Sequence, residues 1–122
     1  MSETTDNAKS PRYLCGYSPK DIETRVIKNF LDILILIEMK KQGNLSGYDI
    51  TAFVNNKFGG VLSPGTVYAT LYTIERKGLI EGDNDGRKTV YKLTPIGQEV
   101  VADTMKEFNK QMTDFVRKFL ML

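Results

Sequence analysis

Apolar residues in this chain recur at helical spacing in four stretches and alternate in two short ones. After a polar opening without periodicity, Ile22, Val26, Phe30, Leu34 and Ile37 follow one another at steps of four or three, which lines one side of a helix. Ser18-Pro19-Lys20-Asp21 stands ahead of them as a helix start. Ser18 takes the N-cap, Pro19 falls in the first turn and Asp21 faces the positive end of the helix dipole. The pattern predicts one helix over residues 19–41, closed by Gly43 in the left-handed conformation. Leu31, Ile33, Ile35, Leu36 and Met39 add apolar groups on its other sides, so it must be covered nearly all round. Part of that cover is expected from a second subunit.

Ser46 is placed to cap a second helix over residues 47–57, with Ile50, Phe53 and Val54 inward and Tyr48 near its start. A third follows Ser63-Pro64, again an N-cap with proline at the first position, and buries Val67, Leu71 and Ile74. Its outward side carries Thr66, Tyr68, Ala69, Thr70, Tyr72 and Thr73 and ends in Arg76 and Lys77. That side is rich in hydroxyls and almost uncharged. It suits either tyrosines that cover a core or a helix laid against the bases and phosphates of a DNA groove.

Residues 79–82 and 89–93 read as two strands around an Asp85-Gly86 turn, Val90 and Lys92 facing one way and Thr89, Tyr91 and Leu93 the other. Thr94-Pro95 then starts a helix predicted to run to the C-terminus. Val101, Met105, Phe108, Met112, Phe115, Phe119 and Leu122 fall on it at alternating steps of four and three. Such a helix can always pack on its own domain. At about 40 Å long, however, it outreaches a small three-helix core, and its distal part is expected to meet another protomer.

Composition narrows the function more by exclusion than by indication. The 122 residues suffice for one domain with a modest core, at 41% hydrophobic and 26% charged residues. The chain has no histidine and only Cys15, which excludes Cys/His zinc spacings and the commonest general base. No phosphate loop, nucleophile elbow or dinucleotide fingerprint occurs. The acids are scattered among lysines as on a solvated surface. Neither an enzyme nor a cofactor or metal site is expected. Residues 1–10 lack the apolar core of a secretory signal, and the longest apolar run, residues 30–37 with Asp32 interrupting it, is far too short to span a membrane. A cytoplasmic protein without membrane contact is therefore expected. The net charge of +2 says little about partners.

Three helices followed by a hairpin is the order of a winged helix-turn-helix, making the chain mainly α with a small β-hairpin and a long C-terminal helix. The segments SGYDI (46–50), LSPGTVYATLYTIERKGLIE (62–81) and GRKTVYKLTPIGQ (86–98) resemble the PadR-like transcriptional regulators, in matching order and spacing over about residues 31–99. The resemblance implies a homodimeric transcription factor, usually a repressor, on a pseudo-palindromic operator of double-stranded DNA. It implies that the third helix enters the major groove and that the wing touches the adjacent minor groove or backbone. The C-terminal helix would dimerise with the N-terminal one.

The division expected is an arm over residues 1–17, a winged domain over 18–93 and a dimerisation helix over 94–122. Tyr48, Ser63, Gly65, Thr66, Tyr68 and Tyr72 match positions that approach DNA, and Arg87 and Lys88 match a basic wing tip. Ala69 and Lys77 join them on the exposed side of the third helix. The dimer interface is expected from Ile22, Val26, Phe30, Val101, Met105, Phe108, Met112, Phe115, Phe119 and Leu122.

Six basic residues face five acidic ones between residues 46 and 93, so electrostatic attraction per subunit should be modest. Lys9, Arg12 and Lys20 could add phosphate contacts. The near-neutral charge keeps a second reading open, a winged-helix module that binds proteins rather than DNA. The chain departs from the family in its N-terminal extension and in lacking tryptophan, which some relatives stack on flat aromatic ligands. A small hydrophobic effector between Phe108, Met112 and Phe115 has less support than dimer core at the same residues.

Overall fold

Among the described residues, hydroxyl side chains start four of the five helices. In the computed structural model, which describes residues 15–60, 62–84 and 86–121, α1 is Pro19–Asn29 and α2 is Leu31–Gln42. A two-residue strand β1, Leu45–Ser46, leads into α3, Gly47–Phe58, and α4 is Pro64–Arg76. Strands β2, Ile80–Asn84, and β3, Thr89–Leu93, precede the 26-residue α5, Pro95–Leu120. The Asp21 N–H donates to Ser18 Oγ and the Asp49 N–H to Ser46 Oγ, both at 3.0 Å. Asp21 and Asp49 in turn accept from the cap N–H groups, completing two capping boxes. Ser63 accepts from the Thr66 N–H and Thr94 from the Gly97 N–H. Each such cap contributes about 1 kcal/mol.

The helix expected over residues 19–41 is broken at Phe30, and the chain divides into two units after that residue. The Phe30 N–H still reaches the Val26 carbonyl at 3.0 Å, but its ψ of 21° ends α1. Asp32 then takes the Ile33 N–H at 2.8 Å, satisfying a donor in the first turn of α2. Asn29 and Asp32 are both poor interior helix formers, and the apolar pattern ran across them unaltered. In the first unit Ile27 is buried, while Ile22 and Val26 are exposed.

In the second unit α2 packs on α5 and α4, and α3 packs on α4. Leu31, Ile35, Leu36 and Met39 of α2 are buried within the chain, and Ile33, Leu34 and Ile37 are half-buried. The chain itself thus covers the centre of α2, while Ile33, Leu34 and Ile37 keep part of their surface open. Ile50, Val54, Val67, Leu71, Ile74 and Ile80 complete the centre of the core, as their helical spacing foretold for the α3 and α4 residues.

The sheet has three strands in the order β1-β3-β2, all antiparallel, rather than the two expected. Leu45 pairs with Tyr91 and Ser46 with Val90. Two residues are too few to show alternation, so β1 left no mark in the pattern. Gly97 sets the close approach of α5 to the end of α4. A Cβ there would drive into the Leu79 carbonyl oxygen, while Thr94 donates its hydroxyl to the Gly78 carbonyl at 2.5 Å.

Candidate nucleic-acid interface

The turn between α3 and α4 is held by one side chain. Asn55 donates to the Leu62 carbonyl and accepts the Leu62 N–H, both at 3.2 Å, and Gly59 ends α3 in the left-handed conformation at φ 81°. These bonds fix where Ser63 begins α4. The outward side of α4 is exposed at Ser63, Gly65, Thr66, Tyr68, Ala69 and Tyr72, and Tyr48 of α3 is 74% exposed beside it.

Most hydroxyls on this side already have partners inside the helix. Thr70 donates to the Thr66 carbonyl and Thr73 to the Ala69 carbonyl, each at 3.0 Å, while the hydroxyls of Ser63 and Thr66 lie 3.1 Å apart. Their rotamers are thereby set, and the surface presents ordered methyl and oxygen groups rather than freely turning ones. At the C-terminal end the Arg76 guanidinium lies 5.6 Å from the centre of the Tyr72 ring, and Lys77 is exposed.

The wing approaches α4 from one side and leaves a cleft of about 400 Å³ between them. Ser46, Gly47, Tyr48 and Tyr68 line it from the helices, and Asn84, Arg87, Lys88, Thr89 and Tyr91 from the wing. Glu75 accepts the Gly82 N–H at 3.0 Å and so ties the edge strand β2 to α4. Lys92 pairs with Glu81 directly across the sheet at 3.4 Å.

Glu75 and Glu81 are thus engaged in structural bonds. Asp49 is held below the usual carboxylate value, first by hydrogen bonds from the Ser46 backbone and hydroxyl and further by the Lys88 charge. Burial, with the charge of Glu75 and the neighbouring Tyr68 phenol, pushes the Tyr91 phenol up, so it stays a neutral donor across the physiological range. Arg76, Lys77, Arg87 and Lys88 are all exposed along this surface.

Residues 33–103, more than half of the chain, match the transcriptional regulator PadR-like family. The chain belongs to that family. Among solved structures, a PadR family transcription regulator of hypervirulent Clostridium difficile R20291 is 26% identical, with a TM-score of 0.61 over 75% of this chain and 98% of that one. A transcriptional regulator of Clostridium thermocellum is 24% identical, with a TM-score of 0.63 over 79% of this chain and 95% of that one. BpsR of Bordetella bronchiseptica, described in a study of how 6-hydroxynicotinic acid regulates its DNA binding, is 21% identical, with a TM-score of 0.56 over 70% and 58%. No curated protein matches the chain. As a PadR-like protein it is a transcriptional regulator with a winged-helix fold, and the family is not one of enzymes.

The PadR-like fold brings Tyr48, Tyr68, Arg87 and Lys88 to one cleft and leaves Ser63, Gly65, Thr66, Ala69, Tyr72 and Lys77 along the adjoining side of α4. Tyr72 and Lys77 border a second hollow of about 290 Å³ with Thr73 and Arg76. Asn84, Thr89, Asn55 and Glu75 were not singled out from the sequence. A polar residue just before a hairpin turn is the signal that could have marked Asn84.

Of the residues expected at a dimer interface, Val101 is fully buried within its own chain and offers no surface to a partner, which removes it from that set. Its place at the proximal end of α5, against the core, is the reason. Met105, Ile22 and Val26 are exposed, Phe30, Phe108 and Met112 half-buried, and Phe115 and Phe119 are 59% and 69% exposed with rings stacked 5.7 Å apart. Leu122, Lys9 and Arg12 lie outside the described residues. Among the described residues no helix is long and apolar enough to cross a membrane, and no group of three or more metal-ligating side chains occurs.

Proposed function

We propose that this PadR-like protein is a sequence-specific DNA-binding repressor that acts as a homodimer on a pseudo-palindromic operator. The observation that carries the reading is the outward side of α4, uncharged from Ser63 to Thr73 and bordered by Arg87 and Lys88 of the wing. A helix of that chemistry can approach base edges without an electrostatic penalty or long side chains in the way. In this reading α4 enters the major groove, with Thr66, Tyr68, Ala69 and Tyr72 toward the bases. Tyr48, Ser63, Gly65 and Lys77 approach the phosphates, and the wing bases lie on the flanking backbone. DNA binding in the similar BpsR of Bordetella bronchiseptica supports the assignment.

The dimer rests on the distal half of α5. Phe115, Val116, Phe119 and Leu120 are exposed together, an apolar surface that a partner would take out of water. A second copy pairing along Met105, Phe108, Met112, Phe115 and Phe119 would cover most of it and place two α4 helices on one duplex. Each subunit adds only modest charge, so dimerisation multiplies the affinity. The proposed division is a winged domain that reads DNA and a C-terminal helix that joins two of them. A gel shift with genomic fragments in moderate salt tests the reading. Retarded bands at nanomolar to micromolar protein are expected, and no shift at micromolar protein would favour a protein-binding winged helix instead.

A further inference from the structure

Gly47 opens α3 directly after the Ser46 cap and is buried. Its backbone does not require glycine: the described glycines with positive φ are 16, 43, 59, 60, 78 and 86. Within a helix, glycine is generally less favourable than alanine. What excludes a side chain at position 47 is space. A Cβ there would sit 2.6 Å from Cζ and 2.8 Å from Oη of Tyr68, far inside van der Waals contact with the end of the ring.

The phenol end of Tyr68 therefore rests on the backbone of Gly47. Tyr68 is 47% exposed, so one side of it is free to meet a ligand while this contact fixes the other. With the ring seated there, Tyr68 lines the cleft shared with Arg87 and Lys88. A second hollow of about 260 Å³, bordered by Tyr48, Ala52, Asn55 and Pro64, also touches Tyr68 and offers the ring another place if it is displaced.

We propose that Gly47 is a positioning residue for DNA selectivity: its missing side chain seats the Tyr68 phenol at the cleft between α4 and the wing. The proposal rests on the DNA-binding reading above. Gly47 need not touch DNA itself; it acts through Tyr68.

The test is a double-mutant cycle in the full chain with Gly47→Ala, Tyr68→Ala and the combination. Thermal melting is read without DNA, and the ratio of Kd values is read for a selected site and its scrambled sequence. Gly47→Ala is expected to change Tm less favourably in the wild-type background than in the Tyr68→Ala background, where the clash is gone and only the helix preference for alanine remains. It should also reduce the selectivity ratio about tenfold, as Tyr68→Ala does, with the double variant no worse than Tyr68→Ala.

An equal change of Tm in both backgrounds would separate Gly47 from Tyr68 and overturn the proposal. Full selectivity retained by Gly47→Ala would overturn it as well. Should Gly47→Ala not fold, recovery of folding in the double variant supports the contact, and failure of both overturns it. A wild-type chain without selectivity would bring down the DNA reading, and the selectivity role with it. The melting cycle would still report on the Gly47–Tyr68 contact, so the two failures can be told apart.

Discussion

The outward side of α4 and the distal half of α5 both expose aromatic rings, but the two surfaces are held in different ways. On α4 the hydroxyls of Thr70 and Thr73 are bonded to their own helix, Tyr72 lies beneath Arg76, and Glu75 anchors the wing beside it. Most of the hydroxyls there, and the Tyr72 ring, have a neighbour that sets their position. On distal α5, Phe115 and Phe119 stack on each other at 5.7 Å, and both are more than half exposed. The first surface is arranged before any ligand arrives, which lowers the ordering cost of recognition. The second is apolar area left in water, and a partner that removes it would gain about 25 cal/mol per Å². On the function proposed above, the first surface would read DNA and the second would pair two copies of the chain.

The largest effect should come from reversing the character of the pairing surface. Replacing Phe115 and Phe119 with glutamate is expected to weaken self-association by about a thousandfold or more, read by sedimentation across a concentration series. The α4 side should be undisturbed by it, so circular dichroism of the variant should retain its helical signal. A dimer of unchanged strength would break the comparison.

Next in size is the joint between the two regions. Gly97→Ala forces a methyl into the Leu79 carbonyl and is expected to cost about 1–3 kcal/mol, seen as a lower Tm in thermal unfolding. Because Leu79 follows α4 and Gly97 begins α5, this substitution should loosen both surfaces at once, unlike any change on either alone.

The reading surface is expected to divide its work between fit and charge. Replacing Arg87 and Lys88 with alanine should lower the slope of log K against log salt by about 0.9 for each lost phosphate contact, measured by DNA titration at several salt concentrations. Base preference should survive, since the side chains on α4 are unaltered. An unchanged slope would take the wing out of the interface.

The smallest effect concerns the cap beside that surface. Asp49 has a lower pKa folded than unfolded, because Ser46 donates two hydrogen bonds to its carboxylate and Lys88 adds attraction. Its contribution to stability is therefore complete above the unfolded value of about 3.8 and is lost as pH falls through the lower folded value. Asp49→Asn should flatten the fall in stability below that pH in acid-unfolding curves. An equally steep fall in the variant would show that the capping box is not titrating there.

The sequence made the helix starts legible because they are local. Ser18, Ser46, Ser63 and Thr94 each cap as their neighbours Pro19, Asp49, Pro64 and Pro95 indicate, since a cap needs only a few consecutive residues. The buried side of α4 was legible for the same reason, through the spacing of Val67, Leu71 and Ile74.

Long-range features were not legible. The break at Phe30 was hidden because apolar spacing continues across it, and β1 was hidden because two residues carry no period. Val101 belongs to the same heptad stripe as Phe119, yet one is buried and the other is 69% exposed. Periodicity marks one side of a helix and does not say where along its length the core ends. The Gly47–Tyr68 contact joins residues 21 positions apart and has no local signature at all.

Selection of bound sequences from a random DNA pool by the full chain tests most directly whether α4 reads and α5 pairs. Two inverted half-sites are predicted, their centres about 10–10.5 base pairs or a small multiple of that apart, as two α4 helices of one dimer would require. A pool without enrichment would contradict the reading surface, and a single unpaired half-site would contradict the pairing one.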